Sequence, residues 1–301
     1  MFENIKKNKI ESGIIIALFI FVITLIVYYI CHALELGAFS IVIALLFSIG
    51  SAWGSYYYSD KIVLSLNKAR PATKEEDLKL VNILDSLMVT ADLPKKPDLY
   101  VVEDAQPNAF ATGRNPKNAV ICVTTGLLDK LDYYELEGVL AHEISHIKNY
   151  DIRLSCVVSV MVGFIVMISD LFSRALFWGG LNDDDNDNNS GNAILMLIGL
   201  IFLILSPIFG SLMQLALSRK REFLADTTAV ELTRNPDGLI SALQKLDNDS
   251  NQLRTANSAT ANMYIVNPFK KNTKEGKKKT SSIWSTHPSI EDRIEALRNI
   301  K

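Results

Sequence analysis

LDYYELEGVLAHEISHIKNYD, residues 131–151, carries two of the chain's four histidines, with a glutamate after the first. Asp132 followed three residues on by Glu135 is a capping-box pattern that starts a helix. Leu136, Val139, Leu140, Ile144 and Ile147 then recur at helical spacing. His142 and His146 therefore lie one turn apart on one face, where both imidazoles reach a single Zn2+. Glu143 projects about 100° round the helix from His142, so it is free to take a proton from water at the metal. With four histidines in 301 residues, His-Glu-x-x-His arises by chance on the order of 0.002 times. The pattern is therefore read as a zinc-hydrolase signature and not as a coincidence.

Apolar sequence begins a few residues later. The chain is 49% hydrophobic and 21% charged, which fits neither a disordered chain nor a plain soluble globule. Four runs account for this. Residues 12–34 and 36–59 contain no Asp, Glu, Lys or Arg, and 193–217 is the longest clean run. Residues 154–178 are interrupted only by Asp170 and Arg174. About 20 apolar residues cross a bilayer as a helix, so four transmembrane helices are expected over these ranges. Asp170 and Arg174 are four apart and read either as an interfacial salt bridge or as part of a proton relay. The first run is too long for a signal peptide, lacks a small-residue cleavage site and is followed at once by another run, so it reads as a retained anchor.

Charge orients the chain. Lys6, Lys7 and Lys9 precede the first run, Lys61, Lys68, Arg70 and Lys74 follow the second, and Arg219, Lys220 and Arg221 follow the fourth. The intervening turn around His32 and Glu35 and the acidic 179–192 connection contain no Lys or Arg. The positive-inside rule puts the termini and residues 60–153 and 218–301 in the cytoplasm, and the 179–192 loop outside. The two cytoplasmic pieces together are long enough for one domain with its own core. A net charge of −2 gives no reason to expect nucleic acid. Cys31, Cys122 and Cys156 form no disulfide framework and no Cys-x-x-Cys pair, and read as reduced buried residues. Residues 75–91 have a helical pattern, while PDLYVVED (97–104) and NAVICVTTG (118–126) read as strands.

A catalytic zinc needs a third protein ligand and one open position. His32 falls on the outer side of the first run, which leaves His287 and the carboxylates. SRKREFLADTTAVEL (218–232) starts a second cytoplasmic helix on which Glu222 and Asp226 share a face. These are either charges on a solvated face or a ligand with a partner one turn on, Asp226 then accepting the free ring N–H of a ligating histidine.

His-Glu-x-x-His with Glu-x-x-x-Asp on a later helix resembles the gluzincin metalloproteases. The four runs, PNAFATGR (107–114), VTTGLL (123–128), SRKREFLAD (218–226) and THPSIEDRIEAL (286–297) together resemble the HtpX family of bacterial membrane zinc proteases, relatives of the CAAX prenyl-protein proteases. The likeness runs from the first span to the C-terminus. It implies an α+β, mainly helical fold: four transmembrane helices and a cytoplasmic zincin-like domain with a small β-sheet. It assigns His142, His146 and Glu222 as ligands of one Zn2+, Glu143 as general base, and protein substrates drawn from the membrane in quality control. The oligomeric state is not specified. Asn108, Ala109 and Phe110 read either as a turn or as an edge strand that holds extended substrate. His287 is either a donor to the developing oxyanion or a structural turn histidine. Arg293 either pairs with a carboxylate near the site or lies on the surface. The lysine-rich 268–280 stretch matches no motif of the resemblance. Three rival functions are a CAAX-type protease, a membrane scaffold with a structural zinc and a small transporter. Glu143 argues against the scaffold, since a structural site needs no base. Only Asp170 and Arg174 are charged within the runs, which argues against the transporter.

Overall fold

The computed structural model describes residues 2–33, 37, 39–161, 163, 219–251, 253–254, 260–266, 268 and 288–300. Asp170, Arg174, the 179–192 connection, the run at 193–217, the lysine-rich stretch after Pro268 and His287 lie outside these residues.

The first two helices form an antiparallel-patterned apolar pair: α1 is Phe2–Ala33 and α2 is Phe39–Tyr57. Both are long and apolar enough to cross a membrane, over Ile5–Tyr29 and Phe39–Tyr57. Only 28% and 22% of their most apolar windows are buried, so neither is the interior helix of a soluble core. Ile14, Phe21, Phe39, Leu46 and Phe47 instead face outward. The inner face explains how the pair closes. Ile15, Phe19, Ile23 and Ile26 of α1 are buried, and α2 buries Ser40, Ala44, Ser48 and Ala52. A small residue every fourth position lets two backbones approach closely. The Ser48 hydroxyl is satisfied by the Ala44 carbonyl at 2.6 Å. Helix α1 extends upstream of its uncharged run to Phe2 because Lys6, Lys7 and Glu11 are good helix formers; loss of charge marks where the apolar run begins, not where the helix does. A short α3, Ser59–Leu66, follows α2 directly.

The rest builds one core. Strand β1 (Arg70–Pro71) precedes α4 (Lys74–Ala91), which Thr73 and Glu76 start with a capping box. Strands β2 (Asp98–Val102), β3 (Ala109–Gly113) and β4 (Ala119–Thr124) complete a sheet of order β1-β2-β4-β3, parallel between β2 and β4 and otherwise antiparallel. The two expected strands are present, and of the two readings of 108–110 the strand holds: Ala109 and Phe110 open β3 at the sheet edge. Helix α5 is Thr125–Lys130, and α6 is Tyr133–Lys148. Asp132 and Glu135 cap α6 as their spacing predicts. A turn at Asn149 and Tyr150 leads to α7, described over 151–161. Helices α8 (Arg219–Thr233), α9 (Pro236–Asp247) and α10 (Ile290–Arg298) follow. Leu84, Ile121, Leu140, Ile144, Ala229 and Leu243 are members of a single buried cluster, so α6 is packed by the sheet, α4, α8 and α9 together. Cys31, Cys122 and Cys156 are buried free thiols.

Backbone contact fixes the α6–α9 crossing. A Cβ on Gly138 would lie 2.8 Å from the Leu239 nitrogen and 2.9 Å from its Cα. Glu135 locks the same crossing, its carboxylate accepting from Ser241 and Lys245 at 2.6 Å each. Gly138→Ala is therefore expected to lower stability by about 1–3 kcal/mol, although the same change in an exposed helix stabilises. Thermal unfolding in detergent checks the sign; a gain would mean that α9 yields freely.

Candidate metal centre

Two helices bring the donor atoms together. His142 and His146 are carried by α6, one turn apart, and Glu222 lies in the first turn of α8, which packs across α6. The His142 and His146 Nε2 atoms are 3.2 Å apart. Glu222 Oε2 is 3.6 Å from His142 Nε2, and Oε1 is 3.6 Å from His146 Nε2. A tetrahedral ion with ligands at ~2.0–2.1 Å spaces its donors by about 3.4 Å, so the three groups fit a Zn2+-sized divalent ion. Two neutral imidazoles and one carboxylate are also the donor chemistry that such an ion takes in a site with an open position.

Each imidazole is held from behind. Asp226 Oδ1 lies 2.9 Å from His142 Nδ1, and Asp151 Oδ2 lies 3.0 Å from His146 Nδ1. Both rings thus offer Nε2 to the shared space with Nδ1 turned to a carboxylate. Asp226 is in turn gripped by Arg293, with Nε to Oδ2 at 2.8 Å and Nη2 to Oδ1 at 2.6 Å. Arg293 is 1% exposed, and its Nη1 is 3.7 Å from Glu222. Of the two readings of Arg293, the structure selects pairing with a carboxylate at the site.

Asp151 has its own support. Asn8 of α1 donates to Asp151 Oδ1 at 2.6 Å and to the Asn149 carbonyl at 2.9 Å. Arg221, beside Glu222, is 3.5 Å from Asp151 and also pairs with Glu11 of α1. The opening turns of the first apolar helix therefore clasp both elements that carry the metal donors. Asp151 and Asn8 have no signature in the sequence: Asp151 reaches back to His146 only because Tyr150 turns the chain in the left-handed region, at φ +61°.

Glu143 is 2% exposed and lines a cavity of about 30 Å3 with His146, Glu222, Ala111 and Asn262. That is room for about one water. The Ala111 backbone N–H of β3 faces the Glu143 carboxylate. Asn108, Ala109 and Phe110 do not line this cavity. They are buried at 0%, 0% and 1% exposure, where the Ile265 N–H closes the Ala109 carbonyl at 3.0 Å and Asn108 donates to the Val266 carbonyl at 2.8 Å.

Charge follows from this geometry. Burial pushes the Glu143 carboxyl up, outweighing the pull of His142 and His146. Burial and the Arg293 charge act to lower His142, but the Asp226 and Glu222 carboxylates prevail and raise it. Burial likewise opposes a charged His146, yet the Asp151 hydrogen bond and the Glu222 charge carry it up to about 9. Burial would raise Asp226, and Arg293 holds it below the usual carboxylate range.

Comparison with known proteins gives consistent matches. The model of Peptidase family M48 matches residues 74–301. A "Protease HtpX homolog" of Dictyoglomus thermophilum is 44% identical over 301 residues, covering 99% of this chain and 94% of that protein. One of Listeria monocytogenes is 42% identical over 320 residues, covering both chains completely. The crystal structure of S. mikatae Ste24p superposes with a TM-score of 0.47 at 20% identity, over 99% of this chain and 66% of that one.

Proposed function

The chain belongs to peptidase family M48 and is a metalloprotease of the HtpX type; from that premise we propose that it is a zinc endopeptidase cutting misfolded or damaged membrane proteins at the cytoplasmic membrane face. The observation that carries the reading is the convergence of the His142, His146 and Glu222 donor atoms, all within 4.8 Å of one another, with Glu143 outside that set but on the same cavity.

His142, His146 and Glu222 hold the ion, and Asp226 and Asp151 keep the two rings aimed. When bound, zinc supplies Lewis acidity to the scissile carbonyl and lowers the pKa of water toward neutrality. Glu143 takes the proton from the attacking water and returns it to the leaving nitrogen. The Ala111 amide orients Glu143 for both transfers. An extended peptide runs beside β3, as an added strand does at a sheet edge. Asn108, Ala109 and Phe110 serve that edge by bracing β3, and Ala111 is the residue that fronts the cavity. His287 serves as the oxyanion donor in this reading.

The membrane placement rests on sequence and on two apolar helices. Residues 154–178 and 193–217 are proposed as the third and fourth spans, the 179–192 loop as external, and 60–153 with 218–301 as the cytoplasmic protease domain. Every Lys/Arg cluster then falls on one side. His146 precedes the third run, and Glu222 follows the fourth, by under three helical turns each. Loops and unfolded segments of membrane proteins are the substrates that such a site reaches.

Purification in detergent, metal analysis and a casein assay with and without chelator test the reading. One zinc per chain is expected, with cleavage lost to the chelator and restored by zinc; chelator-insensitive cleavage overturns it.

Proton competition gives a further expectation. In the metal-free protein His146 is protonated below about 9, and a protonated Nε2 cannot ligate. Zinc affinity should therefore rise with pH up to that point, by up to about tenfold per unit for each proton displaced. Asp151→Ala should weaken zinc by roughly 10–100-fold and move the pH dependence lower. Competition against a fluorescent chelator across the neutral range reads both.

A further inference from the structure

Among the described residues, four cations sit over tyrosine rings. Lys9 lies 4.2 Å from Tyr150, Arg153 5.4 Å from Tyr56, Arg114 5.1 Å from Tyr57 and Lys61 5.6 Å from Tyr58. Lys9 is in the opening turns of α1, Tyr56 and Tyr57 end α2, Tyr150 is in the turn before α7, and Arg153 is in the first turn of α7. The pairs thus form a belt where the outward-facing apolar surface of α1 and α2 gives way to the protease domain. Tyrosine with Lys and Arg is what a membrane–water boundary collects, because each has an apolar body and a polar end.

Within that belt lies a cavity of about 320 Å3, lined by Lys9, Tyr56, Lys117, Tyr150 and Arg153 and closed by the Asn115–Pro116 turn. No carboxylate lines it. Among the described residues, none of these three cations enters an ion pair. Arg153 Nε is buried with no acceptor. Three converging cations with an unused buried donor, in a space the size of a small-ligand pocket, lack one thing: an anion with several oxygens. Tyr56 and Tyr150 add apolar walls that a bare inorganic ion does not use.

We propose that this cavity binds the phosphate headgroup of an anionic phospholipid of the surrounding bilayer. The proposal rests on the membrane-protease reading above. It also links lipid to the metal centre. Lys9 adjoins Asn8, and Tyr150 adjoins Asp151, so a headgroup bridging Lys9 and Arg153 steadies the turn whose carboxylate aims His146.

The test uses the full chain, zinc-loaded, in nanodiscs of phosphatidylcholine with or without phosphatidylglycerol, and counts lipid retained after transfer to detergent by native mass spectrometry. Wild type should keep one phosphatidylglycerol in preference to phosphatidylcholine. Arg153→Gln and Lys117→Gln should each lose about fivefold in that preference, and the pair about 25-fold. Lys7→Gln, outside the cavity, should keep it. Lys117 is on an exposed turn, so its variant remains informative should Arg153→Gln misfold. No preference in wild type, or equal retention by Lys117→Gln and wild type, overturns the proposal. Inorganic phosphate displacing no lipid is expected; displacement of all retained phosphatidylglycerol at millimolar phosphate overturns the lipid source in favour of the free ion. Chelator-sensitive casein cleavage is measured on the same samples. Absence of lipid selectivity in wild type with intact cleavage refutes the headgroup site alone, and chelator-insensitive cleavage refutes the zinc-protease reading alone.

Discussion

Glu143→Gln is expected to bind its full complement of metal and to lose peptide hydrolysis by roughly 10²–10⁴-fold. Glutamine keeps the length of glutamate and an oxygen for the Ala111 amide, so the local packing of a residue 2% exposed is preserved. What it loses is the capacity to take and return a proton. The metal donors are untouched, because Glu143 is outside the group formed by His142, His146 and Glu222. Turnover of a quenched peptide and metal content, measured on one preparation, separate this variant from Asp151→Ala, which acts on affinity. Hydrolysis within tenfold of wild type with metal bound would place the base elsewhere and remove the role proposed for Glu143.

The parts of this centre that were legible in the sequence are those set by local geometry. The capping box at Asp132 and Glu135, the i,i+4 histidines and the i,i+4 Glu222–Asp226 pair each follow from helical period alone, and each occurs on a helix. The strands at 98–102 and 119–124 were legible because buried β-branched runs bounded by turns have few other uses. What stayed hidden depends on distant partners. Asn8 is separated from Asp151 by 143 residues, and no period connects them. Arg293 stayed open between a surface role and a carboxylate partner, because only the fold turns it inward and names Asp226 as that partner. The 108–110 stretch stayed open between turn and edge strand because the Gly, Asn and Pro flanks of β3 read as turn residues, and Asn115 and Pro116 do form the turn at one end. The Ser40–Ala44–Ser48–Ala52 stripe was present but submerged in uniform hydrophobicity, where burial cannot be read from composition.

Arg293→Met is expected to have the largest effect on stability, about 3–5 kcal/mol. The guanidinium fork satisfies both Asp226 oxygens and donates to the Ile265 carbonyl at 3.2 Å, all away from water. Methionine fills much of the space and replaces none of the charge. Asp226 and Glu222, 2% and 6% exposed, then face each other's field across His142 without their buried cation. A bound divalent ion restores part of the missing positive charge. The loss should therefore be larger in the metal-free protein than in the zinc-loaded one, whereas a simple packing defect lowers both alike. In an Asp226→Asn background the carboxylate is already neutral, and Arg293→Met should cost less than in wild type, a coupling that a double-mutant cycle measures directly. Thermal unfolding of the four proteins, with and without zinc, gives every term. Equal losses in both metal states together with additive single changes would mean that Arg293 serves as filler, and that Asp226 orients His142 without its help.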